Sequence, residues 1–349
     1  MKKLLFFCAC IILISCKKNT DEIKLDSRYG KGVFIVNEGT FQRANGSLSF
    51  FSYDSLKIYN DLFEAVNGRP LGDVPNSMIS YGGKGYIIIN NSAKIEVIDI
   101  NTLESQATIT GLISPRNMAV LNEGKAYVTS LYSDSVAIVD LAANAVTGYI
   151  NLGTTSEAIA VNGNTAYISN WFGGNQVFAV NTQLDKVIDT INVGLEPESM
   201  VIDKYNRMWV LSTGGWRKTQ KAEIDIIELI NNSVEKKYVF PAVEDSPSCL
   251  KIDEPGQIIY YINKGVFSMD VNSESLPVVP LISEDNQAFY KIEINPVNSD
   301  ILITDVIDYA QNGNFIIYKK DGTFISKHKA GLIPGAICPN FSVRTANTN

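Results

Sequence analysis

His328 is the only histidine in 349 residues, and it falls in a run expected to form an outer strand. A Ser-His-Asp system, a Cys-His pair or a multi-histidine metal centre therefore has no support, because each needs an imidazole beside its nucleophile or metal. No glycine-rich phosphate loop of the required form is present. Oxygen donors are what remain. Glu38, Asn170, Asn263 and Asp305 are groups of the kind a calcium ion accepts. They belong to a wider polar set, Asn37, Glu38, Asn90, Ser130, Asn170, Ser212, Asn263 and Asp305, standing at the ends of predicted strands. Such residues either end strands by ordinary turn chemistry or converge as hydrogen-bonding groups on one ligand. Beside them, in predicted loops, sit Phe41, Arg43, Tyr132, Trp171, Phe172, Trp216, Arg217 and Tyr309. Aromatic bodies with polar tips suit a large, partly apolar ligand or a protein partner. The candidate binding set is Asn37, Phe41, Gln42, Arg43, Arg116, Tyr132, Asn170, Trp171, Trp216, Arg217, Asp305 and Tyr309. No catalytic residue, resident metal or cofactor is expected.

The elements that must position these residues repeat. Seven segments open in a related way: "PNSMIS" from Pro75, "PRNMAV" from Pro115, "SEAIAV" from Ser156, "PESMVI" from Pro197, "PSCLKI" from Pro247, "FYKIEI" from Phe289 and "PGAICP" from Pro334. Their spacings are 40, 41, 41, 50, 42 and 45 residues. After each of the first six comes a turn, a second β-rich run such as "GYIIIN" or "AYISNW", a third such as "VAIVDL", and a weaker fourth. Val, Ile, Tyr and Thr dominate, and no helical period of ten residues intervenes. Four strands per unit, repeated, is the sequence form of a β-propeller. Tyr86, Tyr127, Tyr167, Trp209 and Tyr260 share one column inside the second strands and are expected in the core. The seventh opening, "PGAICP", lacks the rest of its unit, while "GVFIVNEG" from Gly32 and "LSFFSYD" from Leu48 lack a first strand. The two ends complement each other, so the expectation is an all-β fold of seven four-stranded blades, closed by the C-terminal strand joining the N-terminal blade. Closure removes the edges an open array would expose.

In that arrangement the loops from second to third strand share a face with the loops entering each first strand. Insertions gather there: "NEGTFQRANGS", "STGGWRKTQKAE" and "DVIDYAQNGN" are long, whereas "NNSA" and "NKG" are short. Uneven loops on a regular scaffold commonly carry function.

The amino terminus reads differently. "MKKLLFFCACIILISC" has a basic start, an apolar run from Leu4 to Ile14 and a small residue before Cys16, the layout of a signal peptide. Leu13-Ile14-Ser15-Cys16 resembles the bacterial lipobox, which implies lipidation of Cys16 and cleavage before it. The expected organisation is a signal peptide at 1–15, a lipidated flexible tether at 16–29, one propeller domain at 30–341 and a disordered tail at 342–349. Asp21 and Glu22 are similar to export signals that carry lipoproteins to the cell surface in Bacteroidota, which places the protein on the outer membrane. Several acyl chains on one cysteine anchor firmly. The formal charge is −7, and losing Lys2 and Lys3 takes it to −9. Such a balance disfavours a nucleic-acid partner or an anionic membrane surface. Cys249 and Cys338 would be the only thiols left in the mature protein, on first strands two blades apart. That separation exceeds the roughly 7 Å that a disulfide spans, so none is expected.

"FIVNEGTFQ", "DKYNRMWVLSTGGW", "DVIDYAQNG" and "GLIPGAICP" resemble the surface-layer-type, YncE-like propeller lipoproteins of Bacteroidota over about Gly30 to Asn340. One branch of that family captures cobalamin and other corrinoids and passes them to a TonB-dependent outer-membrane transporter. The resemblance implies a non-enzymatic corrinoid-binding protein, with Asn37, Phe41, Gln42, Asp305 and Tyr309 in the matching motifs. A protein-interaction or scaffold propeller is the alternative. The set Glu38, Asn170, Asn263 and Asp305 also resembles that of calcium-dependent lactonases, which are six-bladed hydrolases.

Overall fold

The computed structural model describes residues 30–341. The expected signal peptide at 1–15, the expected tether at 16–29 with Cys16, and the expected tail at 342–349 lie outside the described residues. Seven four-stranded antiparallel sheets make up the fold. Blade 1 pairs Pro334–Asn340 with Gly32–Asn37, Ser47–Ser52 and Lys57–Tyr59, in that order. Blades 2 to 7 follow along the chain, with innermost strands at Pro75–Tyr81, Pro115–Asn122, Ile159–Asn162, Pro197–Ile202, Ser248–Ile252 and Phe289–Ile294. Each innermost strand touches those of the two neighbouring blades, and the circuit closes from blade 7 to blade 1. This is the seven-bladed propeller that the repeats imply.

Closure is made strand to strand. Phe34 lies opposite Cys338 and Ile35 opposite Ile337 in an antiparallel register running from Gly32↔Asn340 to Asn37↔Pro334. Alternation along this last strand sends its side chains to two different blades. Ile337 packs with Val33, Ile35, Leu302 and Phe315, toward blade 7, while Cys338 joins Phe34, Val36, Met78 and Ile87, toward blade 2. Both thiols, Cys249 and Cys338, are buried and free. Burial pushes the Cys338 thiol up to about 12.

Second and third strands supply most of the core. Tyr86, Tyr127, Tyr167, Trp209 and Tyr260, in their shared column, are all buried. Some of these rings also stitch blades together at the face opposite the long loops. The Tyr127 hydroxyl donates to Asp185 of blade 4, which Lys125 also pairs at 2.8 Å, and Tyr167 donates to Asn232 of blade 5 at 3.1 Å. A buried ring with its polar tip satisfied contributes packing without an orphaned hydroxyl. The one helix among the described residues, Leu62–Asn67, packs Leu62 and Phe63 into the core between blades 1 and 2 and ends at Gly68, whose φ of 65° suits glycine. Its Asn67 Nδ2 donates to Leu103 O, and its Oδ1 accepts from Ser105 N at 2.8 Å.

Irregularity in the innermost strands has a direction. The register shifts beside the opening residues in blades 1, 2, 3, 5, 6 and 7. A bulge bends its strand and re-aims a side chain. The re-aimed residues face the axis.

Candidate functional site

An axial cavity of about 360 Å³ runs between the innermost strands and is lined from all seven blades. Its upper lining includes the residue after the opening position in five blades, Asn76, Arg116, Glu157, Glu198 and Gly335, with Cys249 and Lys291 entering from the other two. Charge is concentrated there. The Arg116 guanidinium grips Glu157 with Nε and Nη2 at 2.7 and 2.9 Å, a fork geometry that fixes both side chains. Burial opposes the Arg116 charge, and the Glu157 carboxylate more than offsets it. Lower down, Lys251 pairs with Glu293 at 2.6 Å. Glu38 reaches the axis from the first long loop and accepts the Tyr290 hydroxyl at 3.0 Å. Burial raises the Glu38 carboxyl above its usual range, against the pull of Lys291 and Tyr290. Gly335 is what admits it, since a Cβ there would collide with the Glu38 carboxylate.

Lys291 stands apart. Its ammonium lies 5.0 Å above the Tyr290 ring and has no carboxylate oxygen within 4.0 Å among the described residues. It is held above the ordinary lysine range, with Cys249 the largest cause and Tyr290, Glu198 and Glu38 adding to it against burial. Burial also raises the Cys249 thiol, so that group is neutral near pH 7. The carboxylates of Glu198 and Glu38 therefore supply the field Lys291 experiences. Cys249 itself adopts φ of 58°, a strained conformation for a residue with a Cβ. That turn lets its amide donate to Glu198 Oε2 at 2.9 Å.

Above the cavity, on the face shared by the second-to-third-strand loops, five blades each present a large exposed aromatic. Phe41, Tyr132, Phe172, Trp216 and Tyr309 are between 55% and 71% exposed. Arg43 and Arg217 are exposed beside them, the latter with its guanidinium 4.8 Å from the Trp216 ring. The loops that carry them are pinned rather than loose. Gln42 N donates to Asp73 Oδ2 at 2.9 Å, and Trp216 N donates to the buried Glu196 carboxylate at 2.9 Å. Tyr309 packs edge-on against Tyr290 at 5.7 Å between ring centroids, so the face and the cavity mouth meet there. Trp171 is half-buried, and its indole Nε1 has no hydrogen-bond partner.

The polar residues at strand ends occupy a different layer. Asn37, Asn170 and Asp305 are buried, and their side chains are engaged within the scaffold. Asn37 Nδ2 donates to Ser49 at 2.8 Å while its Oδ1 accepts from Gly331 N, whose missing Cβ makes room for it. Asp305 accepts from the amides of Ala288 and Ile307, from Asn314 at 2.8 Å and from Lys327 at 3.3 Å. Although burial opposes its charge, these donors lower the Asp305 carboxyl below its usual range. Asn170 Oδ1 faces Thr155, and Asn263 accepts from Ser246 N and donates to Asp245. Asn37 and Asp305 thus face into their own blades, and Glu38, Asn170, Asn263 and Asp305 do not converge as an oxygen cage. Arg116 belongs to the axial cluster, and Phe41, Gln42, Arg43, Tyr132, Trp216, Arg217 and Tyr309 to the face.

Of the axial charges, sequence reasoning reaches Arg116 and Glu38 and misses Glu157, Glu198, Lys251, Lys291 and Glu293. A signal existed: one residue after each opening, Asn76, Arg116, Glu157, Glu198, Ser248 and Tyr290 are polar where the strand is otherwise largely apolar.

Fold and cavity together define a closed seven-bladed propeller with a charged axis and an aromatic loop face. The chain belongs to the family described as a domain of unknown function, DUF5074, whose profile matches residues 31–327. No curated protein sequence matches it. Among solved structures it is similar to a quinonprotein alcohol dehydrogenase-like protein of Bacteroides thetaiotaomicron (TM-score 0.68, 16% identity, covering 88% of this chain and 78% of that one). It is also similar to a 6-phosphogluconolactonase-like protein of Bacteroides uniformis (0.65, 11%, 88% and 98%). A third likeness is to hydrazine synthase of Kuenenia stuttgartiensis (0.61, 14%, 76% and 89%). At these identities the likeness establishes the fold.

Proposed function

We propose that the protein is a lipid-anchored outer-membrane binding protein that takes cobalamin or a related corrinoid on its loop face for delivery to a TonB-dependent transporter. The observation that carries this reading is the set of five exposed aromatics, one from each of five blades, on a single face. Exposed rings of this size are costly to leave in water and are rarely grouped without a partner. A corrinoid offers a broad plane for the rings to cover and amide arms that donate and accept hydrogen bonds. Gln42, Arg43 and Arg217 stand among the rings with polar atoms free to meet such arms.

The test uses the full chain. Protein mixed with cyanocobalamin and passed through a desalting column should elute with the red chromophore at a one-to-one ratio. Colourless protein at micromolar concentrations of both components overturns the reading.

A further inference from the structure

We propose that the axial cavity is a second binding site, for a small zwitterion whose anionic group sits on Lys291 and whose ammonium sits on Glu198. This inference rests on the cavity alone and not on the corrinoid reading.

The cavity charges sort into pairs and a remainder. Arg116 and Glu157 satisfy each other, as do Lys251 and Glu293. Glu38 is capped by the Tyr290 hydroxyl. What is left is one ammonium and one carboxylate facing the same space. Lys291 has no hydrogen-bond acceptor and no ion pair within 4.0 Å among the described residues, only the face of the Tyr290 ring. Glu198 uses Oε2 for the Cys249 amide, and its Oε1 has only a long approach of 3.9 Å from the Cys249 thiol.

Opposite charges inside a protein gain most when they touch, and separating them leaves the desolvation penalty incompletely repaid. These two influence each other without making contact. A scaffold selected for stability alone would close the gap or replace both groups with apolar side chains. Here the bulged backbone at Cys249 holds Glu198 on one side, and the bulge beside Lys291 holds the ammonium on the other.

The space between them is large enough to matter. About 360 Å³ lies at the lower end of the range for small-molecule sites. A ligand carrying a single charge would satisfy one group and leave the other. Bringing both an anionic and a cationic group satisfies Lys291 and Glu198 together without adding net charge to the channel. Free amino acids are the simplest members of that class.

Isothermal titration of the full chain with L-glutamine is the direct measurement, with acetate and methylammonium as single-charge controls. Saturable one-to-one binding of glutamine is expected, with each control at least about tenfold weaker. Lys291→Gln and Glu198→Gln should each weaken glutamine by about tenfold or more, the scale of one charged hydrogen bond. Val278→Ala, at an exposed position away from both the cavity and the loop face, should leave it unchanged. Lys291→Arg keeps the charge and should retain binding, which guards against reading a folding defect as lost affinity; thermal melts of each variant supply the same check. Absence of heat at millimolar glutamine overturns the proposal. So does acetate binding as tightly as glutamine, or equal affinity in the wild type and both Gln variants.

Discussion

Replacing Ile337 with alanine tests whether the last strand is structurally part of the ring. Ile337 is 8% exposed and wedged between blade 1, at Val33 and Ile35, and blade 7, at Leu302 and Phe315. An Ile→Ala change at a buried site costs about 2–5 kcal/mol, the larger values arising where surrounding groups cannot collapse into the cavity. Both flanks here are sheet faces held by their own ladders, so collapse is limited and the upper half of that range is expected. Unfolding entropy of about 2.1 cal/mol/K per residue, over the 312 residues from 30 to 341, gives roughly 0.66 kcal/mol for each degree. The melting temperature should therefore fall by about 5–8 °C. Ile325→Ala is the control, because Ile325 lies in the outer strand of blade 7 and is 43% exposed. It should shift melting by a degree or less, as surface changes do, within about 0.5 kcal/mol. Circular dichroism melts of the three proteins in one buffer decide the matter. Equal small shifts would show that the C-terminal strand is an appendage and that the ring is held by other contacts.

Loss of acid stability should trace in part to Asp305. Its folded carboxyl lies below the ordinary value of about 3.9, because the Ala288, Asn314, Ile307 and Lys327 donors outweigh the opposing effect of burial. Its contribution is therefore complete above that ordinary value and disappears as pH falls through the lower folded one. Urea midpoints of the wild type should drop more steeply below about pH 4 than those of Asp305→Asn; parallel profiles would refute this role. Alkylation of the native full chain should leave Cys249 and Cys338 unmodified until denaturant is added, since both thiols are buried and raised; rapid native labelling of Cys338 would mean an open ring. Trp216→Ala should weaken cyanocobalamin retention by about tenfold, taking a stacked ring at an exposed face as about 1–2 kcal/mol, and unchanged retention would remove Trp216 from the binding face.

The blade count and its closure were legible because the repeat spacing is regular and both ends are incomplete in complementary ways. "PGAICP" and "GVFIVNEG" each imply the other, and the observed register joins them. Loop aromatics were legible by exclusion: Phe41, Tyr132, Phe172, Trp216 and Tyr309 fall outside the core columns, so they had to face outward. Two parts resisted. Asn37 and Asp305 were expected to offer their side chains to a ligand, but a polar residue at a strand end can equally pin the following loop. Only the partners, Gly331 for one and Ala288 and Ile307 for the other, decide between these uses. The axial cluster was hidden because its members are spread from Glu38 to Glu293, and strand alternation alone does not aim them. Bulges near the mouth of six innermost strands do, and a bulge leaves no unambiguous mark in one sequence.

Joining the two ends of the chain in one sheet also sets an order on its synthesis. Gly32–Asn37 is made well before the strand that covers its inner side, Pro334–Asn340, which comes about 300 residues later. Blades 2 to 7 can each pair locally as they emerge, but the first blade waits with an open edge until Pro334–Asn340 has been made. This is the contact of greatest sequence separation in the fold, and long-range pairings of that kind are slow to form and prone to mispairing while they wait. A chain released after blade 7 but before Pro334 would be a nearly complete ring whose exposed strand invites a second copy.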